Sequence, residues 1–151
     1  MKKDFLLLIA LFFTFSVQSS AQNKELLPGK WDLIYFSAID KIESSVAMQM
    51  ADSATHDQFQ KSKQMILDDF FYNFYANGTI KYNDISNLEL VSREAIWTVD
   101  ENILTITEFK RPYERQAKII NLSERFLELS LMIDGEVSPG SLLRFKRIKS
   151  D

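Results

Sequence analysis

The feature of this sequence that most constrains its fold is the alternation of apolar and polar residues along most of its second half. Leu127, Leu129 and Leu131, for example, alternate with Glu128 and Ser130. A period of two is typical of a β-strand that has one buried face and one solvated face. It predicts eight strands, at residues 31–36, 70–75, 79–83, 94–99, 103–108, 116–121, 126–132 and 141–148.

Turn signals separate these segments and indicate how the strands connect. Asn77-Gly78 favours a tight hairpin, for which we expect a type I′ turn with positive φ at both central positions. The other links are also short, so the strands are predicted to form an antiparallel up-and-down meander. Closing the meander into a barrel removes both unpaired edges, and we therefore favour a closed eight-stranded barrel. A β-sandwich built from the same strands is the alternative.

Residues 39–69 have a different period. Apolar residues from Ile39 to Met50 recur at the three- and four-residue spacing of one helix face. Thr55 followed by Gln58 indicates a capping box that starts a second helix. We therefore expect a helical insertion between the first and second strands, formed by either one bent helix or a helical hairpin.

The N-terminus predicts export. Two lysines precede an apolar run from Phe5 to Val17, and small residues end at Ala21. This is the plan of a cleavable signal peptide, and the run is shorter than the roughly 20 apolar residues that span a membrane. We expect residues 1–21 to be removed. Residues 22–151 would then form one domain in the periplasm or outside the cell, without a membrane span.

Composition excludes several classes of function. The chain contains no cysteine, so it cannot be a lipoprotein and can form neither disulfides nor cysteine metal sites. Loss of two lysines and one aspartate with the leader takes the formal net charge from −3 to about −4. A weakly acidic domain of mixed charge is unsuited to binding nucleic acid.

No catalytic constellation is recognisable in the sequence. The single histidine, His56, lies close to Asp52 and Asp57, and we interpret it as a solvated turn residue, because a metal site needs several converging ligands. No partner serine and no glycine-rich phosphate loop stand out. We expect no enzyme activity, no metal and no cofactor. The basic and aromatic segment 110–115 is interpreted as a solvated hairpin loop, with contact to an anionic partner as the alternative.

The start of the first strand resembles a known family. The tripeptide from Gly29 to Trp31 resembles the Gly-x-Trp signature of the lipocalin superfamily, and segments 74–79 and 95–99 are similar to small bacterial lipocalin-like proteins. The resemblance implies a mainly β, eight-stranded barrel whose floor is closed by Gly29, Trp31 and Arg147. Arg147 would stack on Trp31, a cation–π contact worth roughly 0.5–2 kcal/mol. The helical insertion and the lack of a C-terminal helix depart from the family pattern.

A closed barrel would bring together a set of large aromatic side chains. The predicted interior set is Tyr35, Tyr72, Phe74, Tyr82, Trp97 and Phe145. A barrel of eight strands either fills with side chains or holds one small ligand. Our leading hypothesis is a small-ligand-binding protein that holds an apolar molecule in the barrel, with the helical insertion as its lid. The alternative is a filled barrel that acts as a protein-interaction module of the cell envelope.

Overall fold

The computed structural model describes residues 24–86, 89–110 and 112–149; the predicted leader, residues 1–21, lies outside them. A short 3-10 turn at Lys24–Leu26 precedes the first strand. The strands are β1 (Gly29–Phe36), β2 (Phe71–Phe74), β3 (Thr79–Ser86), β4 (Glu89–Asp100), β5 (Ile103–Glu108), β6 (Glu114–Leu122), β7 (Phe126–Ile133) and β8 (Glu136–Ile148). Between β1 and β2 lie the helices α1 (Ser37–Glu43), α2 (Val46–Gln49) and α3 (Ser53–Asp69).

The strands form a closed up-and-down barrel. Each strand pairs antiparallel with its neighbour in the chain, and β8 pairs with β1 to complete the circle. The pairing of β1 with β8 confirms the predicted barrel and rules out the sandwich, because closure satisfies the edges that a sandwich would leave open. The predicted position of the helical insertion is also confirmed.

Alternation along the strands produces the core. In β5, for example, Leu104 and Ile106 are buried while Thr105 is not, as half-buried strands require. Every strand contributes to one continuous cluster of buried residues. Its members are Leu27, Trp31, Leu33, Tyr72, Phe74, Ile80, Tyr82, Ala95, Leu104, Ile106, Ala117, Ile119, Leu127, Leu129, Leu143 and Phe145.

The helical insertion packs against the barrel through its first and third helices. Helix α1 contacts β8 and α3 contacts β1, while α3 itself contains no fully buried residue. The cap of α3 is Asp52, whose carboxylate accepts the Thr55 backbone N–H at 2.8 Å. The predicted capping box at Thr55 is therefore wrong, because the stronger N-cap residue three positions earlier starts the helix.

The hairpin between β2 and β3 has a different turn from the predicted one. The Gly78 N–H donates to the Tyr75 carbonyl at 3.1 Å, and Gly78 has a φ of 85°. Asn77 is not among the described non-glycine residues with positive φ, so the type I′ prediction is wrong. Instead, the Asn77 side chain accepts the Thr79 N–H at 3.1 Å, which stabilises a turn that ends in a left-handed glycine.

Candidate functional site at the open end of the barrel

One end of the barrel, which we call the closed end, is sealed by Trp31 and Arg147. Trp31 is completely buried, and its indole N–H donates to the Leu27 carbonyl at 2.8 Å. The Arg147 guanidinium lies 4.1 Å from the centroid of the Trp31 ring. It also donates to the backbone carbonyls of Pro28 at 2.7 Å and Glu124 at 2.8 Å. The aromatic contact and these hydrogen bonds together hold the guanidinium in place.

Gly29 permits this arrangement. Its φ is 133°, and a Cβ atom built on it would clash with Arg147 Nη1. A side chain at this position would therefore strain the backbone and displace the guanidinium. The structure thus brings together Gly29, Trp31 and Arg147, the three residues predicted for the barrel floor.

Side chains occupy the middle of the barrel. The Tyr72 ring stacks on Phe145 at a centroid distance of 4.9 Å and meets Phe74 and Tyr82 edge-on at 5.7 Å each. These four aromatic residues are at most 1% exposed. Trp97 is half-buried and meets Phe74 edge-on at 5.6 Å. Five of the six predicted interior residues therefore form one aromatic cluster, and its rings fill the space they surround.

Tyr35 does not belong to this cluster. The pairing of β1 with β8 shifts between Leu33 and Tyr35, so Tyr35 lies opposite Arg144 and Phe36 lies opposite the buried Leu143. The Arg144 guanidinium sits 5.7 Å from the Tyr35 ring centroid. The prediction that Tyr35 lines the interior is wrong, because a bulge inserts one residue and exchanges the two faces of the strand.

The opposite end of the barrel, the open end, carries charge on its inner wall. Four charged side chains continue the inward-facing positions of β3 to β6, and we call them the mouth cluster. Glu108 is 8% exposed, and the side chains of the other three are 19–24% exposed. The mouth cluster consists of Asp84, Arg93, Glu108 and Arg115.

Asp84 lies between the two arginines. Its Oδ2 is 3.7 Å from Arg93 Nε, and its Oδ1 is 3.5 Å from Arg115 Nη2. Arg115 Nη1 also approaches the Tyr72 hydroxyl at 3.4 Å, and its guanidinium lies 5.8 Å from the Tyr82 ring centroid. The cluster therefore rests directly on two rings of the aromatic core.

Tyr82 links the core to Glu108. Its hydroxyl donates to Glu108 Oε1 at 2.8 Å. Burial raises the pKa of Tyr82 far above its usual 10, and the hydrogen bond to Glu108 raises it further. Tyr82 therefore remains a neutral donor at physiological pH, while the Glu108 carboxylate is its acceptor.

The other side of the open end is apolar. Phe36 at the end of β1, Ile66 and Leu67 on α3, and Phe70 pack against the core while remaining partly exposed. The Phe70 ring lies 5.6 Å from Tyr72. Tyr72 consequently sits on the boundary, with its ring among apolar side chains and its hydroxyl beside the mouth cluster. The open end is therefore amphipathic.

The interpretation of segment 110–115 as a solvated loop is wrong for its last two residues. Strand β6 begins at Glu114, and Arg115 lies opposite the buried Ile106, so its side chain faces inward. Arg111 lies outside the described residues. The inward-facing arginine on a strand explains why a charge-based interpretation of this segment failed.

His56 lies in the first turn of α3 and is half-buried. Within the described residues, no group of three or more histidine, cysteine, aspartate or glutamate side chains could hold a metal ion. None of the helices in the same part of the chain is long and apolar enough to cross a membrane.

The architecture matches solved bacterial structures. A lipocalin-like protein from Bacteroides uniformis ATCC 8492 is 15% identical, with a TM-score of 0.51 over 82% of this chain and 99% of that one. A DUF4847 family protein from Bacteroides vulgatus ATCC 8482 is 20% identical, with a TM-score of 0.51 over 85% and 99%. The fold is lipocalin-like. No protein-family model and no curated protein matches the chain.

The comparisons confirm the predicted resemblance at the level of the fold. At 15–20% identity they concern architecture, and function must be argued from the site itself. At the open end of this lipocalin-like barrel, inward-facing charged side chains and partly exposed apolar side chains lie next to each other.

Proposed function

We propose that this protein is a non-catalytic carrier or sensor that binds a small molecule with an apolar body at the open end, beneath the helical insertion. The observation that carries the proposal is the pairing of an apolar side with a partly exposed, inward-facing charged side at one barrel end. Small-molecule sites typically combine such an apolar lining with a few convergent polar groups.

The aromatic cluster determines how deeply the ligand would lie. Because the buried rings of Phe74, Tyr82 and Phe145 each contact the Tyr72 ring, the ligand would rest above this cluster and not within it. Its apolar body would contact Ile66 and Leu67 of α3, which are partly exposed. Burial of apolar ligand surface contributes about 25 cal/mol per Å². The helical insertion would therefore act as the lid that supplies this burial.

A neutral fluorescent probe tests this proposal. We expect N-phenyl-1-naphthylamine to gain fluorescence on binding, and Ile66→Ser to weaken its binding about tenfold, because a lid contact becomes polar. The matched control is Ile34→Ser, since Ile34 is 44% exposed on the outer wall of β1 and should leave the binding unchanged. Absence of any fluorescence gain, or equal losses in both variants, would contradict the proposal.

We also propose that the mature protein is exported. The support is the leader-like segment at residues 1–21 of the sequence. Intact mass measurement of the protein from the periplasm or culture medium of a bacterial host should give a chain that begins at Gln22. A full-length chain retained in the cytoplasm would contradict export without affecting the ligand-binding proposal.

A second candidate function, contact with another protein, has its own supporting observation. The helical insertion exposes Val46 at 69% and Met50 at 82%, and Ile42 is 49% exposed nearby. Clustered exposed apolar residues often mark interaction sites. A Val46→Ser/Met50→Ser variant should keep probe binding. Loss of a crosslinked envelope partner in that variant, combined with no probe binding in the wild type, would favour this second function.

A further inference from the structure

We infer that the ligand carries a carboxylate, and that Arg93 and Arg115 of the mouth cluster bind it. This inference rests on the proposed function and names the chemical class of the ligand. It follows from three observations: the hydrogen bonding of Arg93, the long ion contacts of both arginines, and the position of Tyr72 beside them.

Arg93 has an unsatisfied donor at the open end. Its Nε atom is buried and has no hydrogen-bond partner among the described residues. The carboxylate oxygen Oδ2 of Asp84 is 3.7 Å away, which is too long for a hydrogen bond. A buried arginine N–H in this state is most readily satisfied by an incoming oxygen acceptor.

The contacts of Arg115 to Asp84 and to Tyr72 are similarly long. Its Nη2 is 3.5 Å from Asp84, and its Nη1 is 3.4 Å from the Tyr72 hydroxyl. Charge-assisted hydrogen bonds normally measure about 2.7–2.9 Å. A short charge-assisted hydrogen bond does occur on the outer wall of the barrel, where Arg144 Nε donates to Glu128 Oε1 at 2.6 Å. The contacts of Arg93 and Arg115 to Asp84 are therefore long in comparison with this outer-wall pair.

The chemistry of the surroundings selects the head group. Asp84 and Glu108 balance the formal charges of the two arginines, so the choice of head group follows from hydrogen bonding. A cationic ammonium head has only N–H donors and cannot accept the Arg93 Nε–H. A neutral hydroxyl offers few acceptor lone pairs, whereas a carboxylate offers two oxygens that match the planar fork of arginine. Bound there, it would replace the long contacts to Asp84 with shorter ones. The Tyr72 ring directly below leads from this head-group position to the apolar side of the open end.

Ligands that share one chain and differ in their head groups test the inference. Dodecanoate, dodecanol, dodecyl phosphate and dodecylammonium are each used to displace N-phenyl-1-naphthylamine at pH 7.5, below their micelle concentrations. We expect dodecanoate to bind at least tenfold more tightly than dodecanol and dodecylammonium, and more tightly than dodecyl phosphate. Arg93→Gln should reduce the preference for dodecanoate over dodecanol to about twofold or less.

Controls separate the possible failures. Arg144→Gln removes an outer-wall arginine and should keep the full preference, and far-UV circular dichroism checks that each variant folds. Should Arg93→Gln fail to fold, Arg115→Lys keeps the charge but loses the fork, and is expected to reduce the preference at least threefold. Equal binding of dodecanoate and dodecanol overturns the inference and leaves the proposed function standing. Tighter binding of dodecyl phosphate also overturns it. Failure of all four ligands to displace a bound probe overturns the inference alone, whereas failure of the probe to bind overturns both.

Discussion

The arginine side chains at the two ends of the barrel differ in how closely they approach their partners. At the closed end, Arg147 donates to backbone carbonyls at 2.7 and 2.8 Å and lies 4.1 Å from the centroid of a buried indole ring. At the open end, Arg93 and Arg115 approach their shared carboxylate, Asp84, only to 3.7 and 3.5 Å. Short hydrogen bonds thus hold Arg147 at the closed end, whereas Arg93 at the open end keeps a buried N–H without a hydrogen-bond partner among the described residues.

The closed end is also more tightly packed than the helix that covers the open end. Trp31 and Leu27 at the closed end are completely buried, while α3 over the open end has no fully buried residue. Segments with few buried contacts open locally at low free-energy cost, and binding sites are drawn from such segments. This difference supports our proposal that the closed end stabilises the fold and that ligand binding takes place at the open end. The predictions below test this division.

The largest effect is expected at Trp31. Trp31→Ala should lower the free energy of unfolding by about 3–5 kcal/mol, because it removes a completely buried indole, its hydrogen bond to Leu27 and the surface under Arg147. Urea denaturation followed by circular dichroism measures the change. Trp97→Ala is the matched control and should cost clearly less, since Trp97 is half-buried. Similar losses in the two variants would refute a special role for the closed-end tryptophan.

Replacing one arginine at each end compares the ends directly. Arg147→Met should cost about 2 kcal/mol, because carbonyl groups such as those of Pro28 and Glu124 lose a charged donor. Arg93→Met should cost less than about 1 kcal/mol, because its Nε makes no hydrogen bond within the described part of the chain. Urea denaturation of both variants under one buffer condition gives the comparison. An Arg93→Met loss equal to or larger than that of Arg147→Met would contradict it.

A smaller, pH-dependent effect is expected at Tyr82. Tyr82→Phe should cost about 1 kcal/mol at pH 8, because Glu108 loses a hydrogen-bond donor. The pKa of Tyr82 is raised in the folded state, so its contribution is complete below its unfolded pKa of about 10 and declines as the pH rises above that value. The stability difference between wild type and Tyr82→Phe should therefore narrow above about pH 10.

Urea denaturation between pH 8 and 11 checks this dependence. The control is Phe74→Leu, because Phe74 is a buried ring without a titrating group, and its stability difference from the wild type should stay constant over the same range. A Tyr82→Phe difference that stays constant or widens above pH 10 would show that the buried hydroxyl does not titrate as described.

Much of the fold could be predicted because local and global preferences agree. The alternation of Leu127 and Leu129 with polar residues, and the glycine turn at Gly78, each indicate a strand or a hairpin that the closed barrel then uses. The bulge that turns Tyr35 outward could not be predicted, since it depends on the register between β1 and β8, the first and last strands. Pairing over such a distance in the chain leaves no local signal.

The candidate site was harder to predict than the core. The alternation of apolar residues predicts the aromatic cluster beneath the site. The mouth cluster, however, lies at or beyond the ends of the predicted strands. Asp84 and Arg93 are one residue beyond the predicted strands 79–83 and 94–99, and Arg115 lies in the segment predicted as a loop. Extending the alternation from Ile80 and Tyr82 to Asp84 would have suggested an inward carboxylate. Hydrophobic periodicity predicts that a strand ends where charged residues begin. At the mouth of a barrel, however, a strand continues with charged residues on its inner face.

Amide hydrogen exchange of the native protein tests the division between the two ends most directly. We predict that amides beside the closed end, such as those of Trp31 and Phe74, exchange only through global unfolding. Amides in the middle of α3, such as that of Phe59, should exchange through local opening with a much lower free energy. Equal protection of α3 and the closed-end strands, or greater protection of α3, would contradict a stable closed end and a mobile lid over the open end.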